Sequence, residues 1–266
     1  VFHHINAAGD VRKIRAVVSE VGRTDLCTAL GYPSGHHVGT VEHVMAALFG
    51  LGIDNLVVEV DGDEMPILDG SAAGFVDAID HAGIETLDAK RRYIRVIKPV
   101  RIDSGASFAE FRPHEGTRFE VEIDFESPAI GRQSFAADID AETFRREISR
   151  ARTFGFMKDV ERLWAAGHAL GSSLENSVVI GDDSRVINVE GLRYKNEFVR
   201  HKMLDAMGDL ALAGARFIGC YRSYRGGHRL NAAALRHLLS DRSAFEIVET
   251  TRRERGRSAE MVAVSA

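Results

Sequence analysis

Imidazole and carboxylate groups recur at helical spacing in two parts of this sequence. In the segment from Glu197 to Gly214, His201, Asp205 and Asp209 follow one another at intervals of four, with Glu197 and Lys202 beside them. On a helix that interval places side chains one turn apart, so a histidine and an aspartate can reach the same metal ion. Val199, Met203, Leu204, Ala206, Met207, Leu210 and Ala211 share the opposite, apolar arc, which must face a core. A merely solvated polar face has the same pattern, and spacing alone does not separate the two. Thr40-Val41-Glu42-His43 brings a second histidine next to an acid. A hydrolytic zinc site needs three protein ligands, an open position for water and a carboxylate near that water. His43 and Glu42 are candidates for the further ligand and the base. An acidic first helical turn beside a half-buried histidine would look the same, because the helix dipole favours Glu42 there.

Two further segments carry reactive groups. In Gly226-Gly227-His228-Arg229-Leu230-Asn231 the paired glycines let the backbone bend sharply before a helix. His228 is then placed to donate a proton to a leaving amine, to face an oxyanion, or simply to cap the helix. In Ser149-Arg150-Ala151-Arg152-Thr153-Phe154-Gly155-Phe156 a hydroxyl stands between a cation and an aromatic ring. The residues alone favour a turn there, with Phe154 and Phe156 in the core.

The elements that must position these groups are legible in outline. Thr40 is placed to cap a helix through Leu48 that closes near Gly50 and Gly52. Asn55–Val60 alternates as a strand, and Ser71 is placed to cap a helix carrying Phe75, Val76 and Ile79 and ending at Gly83. Strands are expected over Tyr93–Ile102, Ser107–Arg112 and Arg118–Phe125, helices over Glu142–Ser149 and Asp159–Ala166, and a hairpin joining Ser177–Ile180 to Arg185–Val189. The long helix spans about Asn196 to Ala213, stopped by Gly214; Asn231–Leu239 is a helix and Phe245–Thr250 a strand. The charged run Asp88-Ala89-Lys90-Arg91-Arg92 marks a boundary between residues 1–90 and 91–266. The fold class is α+β, in two sheet-plus-helix domains.

Composition narrows the function. At 266 residues, 45% hydrophobic and 27% charged, the chain has the balance of a soluble globular protein. A formal net charge of -5 offers no global basic field for nucleic acid. Lys195, Arg200, Lys202, Arg222, Arg225 and Arg229 still supply local basic groups for an anionic small molecule. Cys27 and Cys220 exclude a cysteine-based zinc finger and argue against a disulfide-stapled secreted domain. No apolar run approaches the ~20 residues that span a bilayer. The start at Val1 lacks a signal-peptide pattern. A cytoplasmic protein is expected, and the missing initiator methionine points to a longer polypeptide.

Taken together, TVEHVMAAL (Thr40–Leu48), LGIDNLVVEVDGDEMPILDGSA (Leu51–Ala72), SRARTFGF (Ser149–Phe156), EFVRHKMLDAMGDLALAG (Glu197–Gly214) and GGHRLN (Gly226–Asn231) closely resemble the UDP-3-O-acyl-N-acetylglucosamine deacetylases. The stretches occur in family order and cover much of the chain. The resemblance implies helices packed between two sheets. It also implies hydrolysis of the acetamide of a UDP-linked acylated amino sugar, the committing step of lipid A synthesis.

The resemblance further implies zinc held by His43, His201 and Asp205, with Fe2+ an alternative for the same ligand set. Glu42 matches the general base, and His228 the histidine that acts as acid or stabilises charge. Thr153 matches an oxyanion-holding hydroxyl, and Asp209 the carboxylate supporting His228. Lys202 and Phe154 match contacts to the sugar nucleotide. An apolar groove from Phe156 through Val179 is expected for the acyl chain, and a monomer is expected. The family's opening strand with its glycine-rich GLHSG-like segment is not in this sequence, so the first sheet is expected to lack a strand. The stretch after SRARTFGF, through Ser172–Asn176, is less typical. Rival readings are another zinc amidohydrolase or a silent nucleotide-sugar binder.

Overall fold

Alternating segments become strands here where a neighbour completes the ladder. The computed structural model describes residues 1–6, 8–32, 35–159, 173–250 and 261–263. Strand β1 (Phe2–Ile5) pairs antiparallel with β2 (Val11–Ile14). Strands β3 (Val21–Arg23), β4 (Ala29–Gly31) and β5 (His37–Val38) form a small antiparallel sheet. After helix α1 (Glu42–Leu51), β6 (Val58–Val60) adds parallel to the other side of β1, which is thus paired along both edges. Only the last three residues of the predicted strand Asn55–Val60 are extended and paired. Helix α2 (Ala73–Ala82) follows with Ala72, not Ser71, as its N-cap residue; the Ser71 hydroxyl lies one residue further out and accepts from the Ala73 N–H.

From Arg92 onward the described strands pair only among themselves. Strands β7 (Arg92–Val96), β8 (Val100–Ser104), β9 (Ser107–Arg112), β10 (Thr117–Asp124) and β11 (Arg132–Asp138) belong to one mixed sheet. The predicted strand Tyr93–Ile102 is broken in two at Ile97-Lys98-Pro99, where proline offers no N–H to a ladder. The short β12 (Phe154–Phe156) and β13 (Val178–Ile180) run parallel as a separate pair. The hairpin expected around Asp182-Asp183 is present but short: Ile180 bridges Val186, with Gly181 N–H donating to Arg185 O and Ile187 N–H to Val179 O, and β13 pairs with β12 as well.

The nine-residue β14 (Arg216–Tyr224) is the hub of the large sheet. It pairs with β10 on one side, and with β7 and then β9 on the other. Strands β15 (Phe245–Thr250) and β16 (Met261–Ala263) extend the β7 edge.

Two long helices fill the space beside this sheet: α3 (Glu197–Leu210) and α4 (His228–Ser240). α3 packs on α1, β10, β11 and α4, while α4 rests on β8 and β9. All ten residues of α1 are buried, and so are all of α3 except Arg200 and Lys202. A helix buried on every face has no solvent side, so the polar arc of α3 faces protein, not water. The approach of α1 to α3 is permitted by Gly208: a Cβ there would lie 2.0 Å from the Glu42 carbonyl oxygen.

Other boundaries shift for local reasons. Asp140 caps the segment predicted as Glu142–Ser149, which begins at Ala141 and continues as a π-helical turn over Phe144–Ile148. α4 starts at His228 rather than Asn231. The helix predicted over Asp159–Ala166 lies, beyond Asp159, outside the described residues. Thr40 does not cap α1; its hydroxyl donates to Glu64 and its φ is +53°, an uncommon value for a β-branched residue.

Candidate metal centre and active site

The turn at Thr40 aims the first residues of α1 at the middle of α3. His43 comes from α1, while His201 and Asp205 come from successive turns of α3. Their ligating atoms all lie within 4.8 Å of one another, and none of the three residues is more than 3% exposed. Asp205 Oδ1 stands 3.2 Å from His201 Nε2 and 3.8 Å from His43 Nε2. His201 Nδ1 lies 3.0 Å from the Ala151 carbonyl, which can only accept, so Nδ1 carries the proton and Nε2 presents a lone pair.

Burial, reinforced by His201, depresses His43 to about 3, and burial also lowers His201. Both imidazoles are therefore neutral at ordinary pH. Burial works against ionisation of Asp205, but His201 and Lys202 outweigh it and hold its carboxyl below the usual range. Lys202 donates to Asp205 Oδ2 at 2.9 Å, leaving Oδ1 for the ligand cluster. Two neutral imidazoles and one carboxylate oxygen suit a divalent transition metal, so the residues present fit such an ion.

Beside the ligands lies a second buried group. Glu42 Oε2 accepts from the Thr28 N–H at 3.0 Å, and Oε1 is 3.8 Å from His228 Nε2. Burial raises Glu42 to about 7; His228 opposes the rise, while Asp209 and Asp205 add to it. His228 Nδ1 donates to Asp209 Oδ2 at 3.0 Å. Burial would strip the charge from His228, but Asp209 outweighs it and lifts the pKa to about 10. Asp209 also accepts from the Thr28 hydroxyl at 2.5 Å and from Asn231 Nδ2 at 2.8 Å, and Asn231 is held in turn by the Tyr221 hydroxyl.

The wall over these groups is the segment Ala151–Phe156. Arg152, 2% exposed, donates to Glu197 at the start of α3, to Glu190 and to the Gly191 carbonyl. Thr153, half-buried, is pinned from both sides. Its N–H donates to Gly70 O at 2.7 Å, and its carbonyl accepts from Val178 N–H at 2.8 Å. Gly70, at φ +80°, has the Asn176 carbonyl 2.0 Å from where a Cβ would be, so no larger residue fits. Phe154 packs edge-on against Phe198 at 4.9 Å between ring centres and lies 6.3 Å from His201. Lys202 Nζ stands 5.6 Å from the Phe154 ring centre. An open cleft of about 820 Å³ adjoins this edge, lined by Phe156, Lys158, Lys202, Arg225 and Gly226 among others.

The structure thus brings Glu42, His43, His201, Asp205, Asp209 and His228 together, with Phe154 and Lys202 at the rim and Thr153 in the wall. Of the basic residues noted in the sequence, Lys202 and Arg225 face the cleft. Arg200 is instead held by Asn196 and Glu147. Sequence reasoning missed Thr28, Asn231 as a partner of Asp209, and the Arg152–Glu197 pair. The only available signals were a lone Thr in the apolar run Leu26–Leu30 and an Arg inside a segment otherwise read as core.

A family model described as UDP-3-O-acyl N-acetylglycosamine deacetylase matches residues 1–240. The chain is also similar to proteins named UDP-3-O-acyl-N-acetylglucosamine deacetylase from Brucella ovis, Brucella melitensis and Brucella suis. Each is 65% identical over 240 residues, covering 90% of this chain and 84% of the relative. With its histidines and carboxylates gathered at one buried centre, the chain belongs to the UDP-3-O-acyl N-acetylglycosamine deacetylase family.

Proposed function

We propose that this protein hydrolyses the acetamide of UDP-3-O-acyl-N-acetylglucosamine, releasing acetate and the free amine in the committing step of lipid A biosynthesis. The observation that carries this is the buried His43–His201–Asp205 cluster set directly against the Glu42–His228–Asp209 chain. When bound at the cluster, a divalent cation, Zn2+ with Fe2+ as the alternative, supplies Lewis-acid polarisation of the amide carbonyl and acidifies water toward a pKa of ~7. Glu42, raised to about 7, accepts a proton from the attacking water as its oxygen bonds to the carbonyl carbon. His228, cationic beside Asp209, faces the developing oxyanion and then protonates the departing nitrogen as the C–N bond breaks. The 3.8 Å between Glu42 and His228 lets the proton held by Glu42 return to His228 for the next turnover. Thr153 supplies a hydroxyl to the oxyanion.

Lys202 and Phe154 contact the sugar nucleotide at the rim, and Lys158 and Arg225, set in the cleft among the carboxylates of Asp124, Glu126, Asp159 and Asp182, are its further candidate phosphate contacts. The acyl chain is assigned to a groove from half-buried Phe156 to buried Val179, although residues 160–172 between them lie outside the described part. At ~0.8 kcal/mol per buried methylene, that chain contributes much of the affinity. Residues 1–90 and 91–266 are proposed as two α+β domains that contribute Glu42 and His43 from one side and His201, Asp205 and His228 from the other. Cys27 and Cys220 are both free, which accords with a cytoplasmic site of action.

The test is acetate release from UDP-3-O-acyl-N-acetylglucosamine by the metal-loaded protein, with His201→Ala as control. Metal-dependent release that vanishes in the control supports the assignment. No release from a protein that binds one metal ion overturns the substrate, and equal rates on a substrate lacking the acyl chain overturn the groove.

A further inference from the structure

Each carboxylate flanking His228 has one oxygen turned toward an imidazole nitrogen. Glu42 Oε1 faces Nε2 at 3.8 Å, and Asp209 Oδ2 faces Nδ1 at 3.0 Å. Their remaining oxygens converge on a single residue. The Thr28 backbone N–H donates to Glu42 Oε2 at 3.0 Å, and the Thr28 hydroxyl donates to Asp209 Oδ1 at 2.5 Å. The Thr28 carbonyl accepts from Val41 N–H at 3.1 Å, one residue before Glu42. Thr28 is 1% exposed and immediately precedes β4, so all three of these groups are spent inside the protein.

We propose that Thr28 is a positioning residue that closes a ring, Thr28–Glu42–His228–Asp209, and so sets the base and the imidazole at a fixed mutual angle. The inference rests on the assignment of Glu42 and His228 made above. A carboxylate held by one oxygen alone can rotate about its terminal bond, and a buried one held by neither is costly. Thr28 removes that freedom from both acids at once, through donors 14 and 181 residues away from them in sequence. Both Thr28 donors are uncharged, so they fix the two acids without adding a charge to the site.

The test is steady-state deacetylation by Thr28→Val, which keeps the shape and the backbone N–H but removes the hydroxyl. A hydrogen bond to a charged group corresponds to roughly a ten- to hundredfold effect. The expected result is a fall of that size in kcat, with KM and bound metal unchanged, and recovery in Thr28→Ser. In an Asp209→Ala background the further change to Thr28→Val is expected to add almost nothing. If Thr28→Val does not fold, Thr28→Ala is compared with Thr28→Ser in the same way. Wild-type kcat, a loss not recovered by Ser, or full additivity with Asp209→Ala would overturn the proposal. If Glu42→Ala and Asp209→Ala also turn over normally, the assignment of the base falls with it; if those two are impaired and Thr28→Val is not, only the ring falls.

Discussion

At the residue scale, the proposed chemistry depends on Glu42 and His228. Burial makes Glu42 a weaker acid, at about 7, while Asp209 makes His228 a stronger base, at about 10. Glu42 must be deprotonated to act as base, so kcat/KM is expected to rise as pH passes upward through its pKa. His228 must be protonated to act as acid, so the rate is expected to fall as pH passes upward through its own. A bell with its plateau between about 7 and about 10 follows. A cation bound beside Glu42 favours the carboxylate and moves the acidic limb lower still. Glu42→Ala is expected to lose roughly 10²–10⁴ in turnover while keeping its metal. His228→Ala is expected to lose the basic limb. A metal-free Glu42→Ala protein would recast that residue as a ligand, and an unchanged basic limb would remove His228 from proton transfer.

At the scale of elements, the site depends on how closely α1 approaches α3 and on what anchors the Ala151–Phe156 wall. A methyl at position 208 would meet the Glu42 carbonyl at 2.0 Å, so Gly208→Ala must push the helices apart. Overpacking of this kind costs about 1–3 kcal/mol. The same shift separates His43 from His201 and Asp205. Thermal unfolding and metal titration of the variant are expected to show a lower midpoint and weaker metal binding together; a normal midpoint with normal binding would refute the constraint.

The Arg152–Glu197 pair joins the wall to the N-terminus of α3, and Ala151, next in the chain, supplies the carbonyl that orients His201. Arg152→Met leaves the fully buried Glu197 carboxylate with the backbone N–H groups of Arg152 and Arg193 but no counter-charge, at an expected cost of about 3–5 kcal/mol. Urea unfolding measures it. A companion Glu197→Leu change in the same chain removes the unpaired charge but also the acceptor of the Arg152 and Arg193 N–H groups, so it is expected to restore only part of the loss.

Across the whole molecule, the proposed metal ligands join two parts of the chain whose described strands pair only within themselves. An ion held by His43 of one part and by His201 and Asp205 of the other binds the folded state alone. Its contribution to stability is RT ln(1 + [L]/Kd), about 2.7 kcal/mol at a hundredfold excess over Kd. Chelation is therefore expected to lower the unfolding temperature of the wild-type protein, and zinc to restore it. His43→Ala is expected to be insensitive to both. Equal unfolding temperatures with and without the chelator would show that the ion is not part of what holds the two halves together.

The same division separates what was legible in the sequence from what was not. Local order determined which groups could meet: the i, i+4 interval of His201 and Asp205, the adjacency of Glu42 and His43, and the glycines ahead of His228. With the recurring segments, this was enough for the α+β class and the family, and His43, His201 and Asp205 do lie together in the fold. Sequence periodicity could not say whether the polar arc of α3 faced water, because amphipathic spacing is the same whether the covering layer is solvent or another helix. Only the packing of α1, admitted by Gly208, decided that.

The pairing of β13 with β12 was likewise settled by neighbours distant in the chain. Thr28 belongs to the same group: its two acceptors lie 14 and 181 residues away, and no local pattern records a hydrogen bond between such positions. The residue types determined the chemistry available; tertiary packing decided which groups were buried together, and it is burial that raises Glu42 and the nearby Asp209 that, against burial, raises His228.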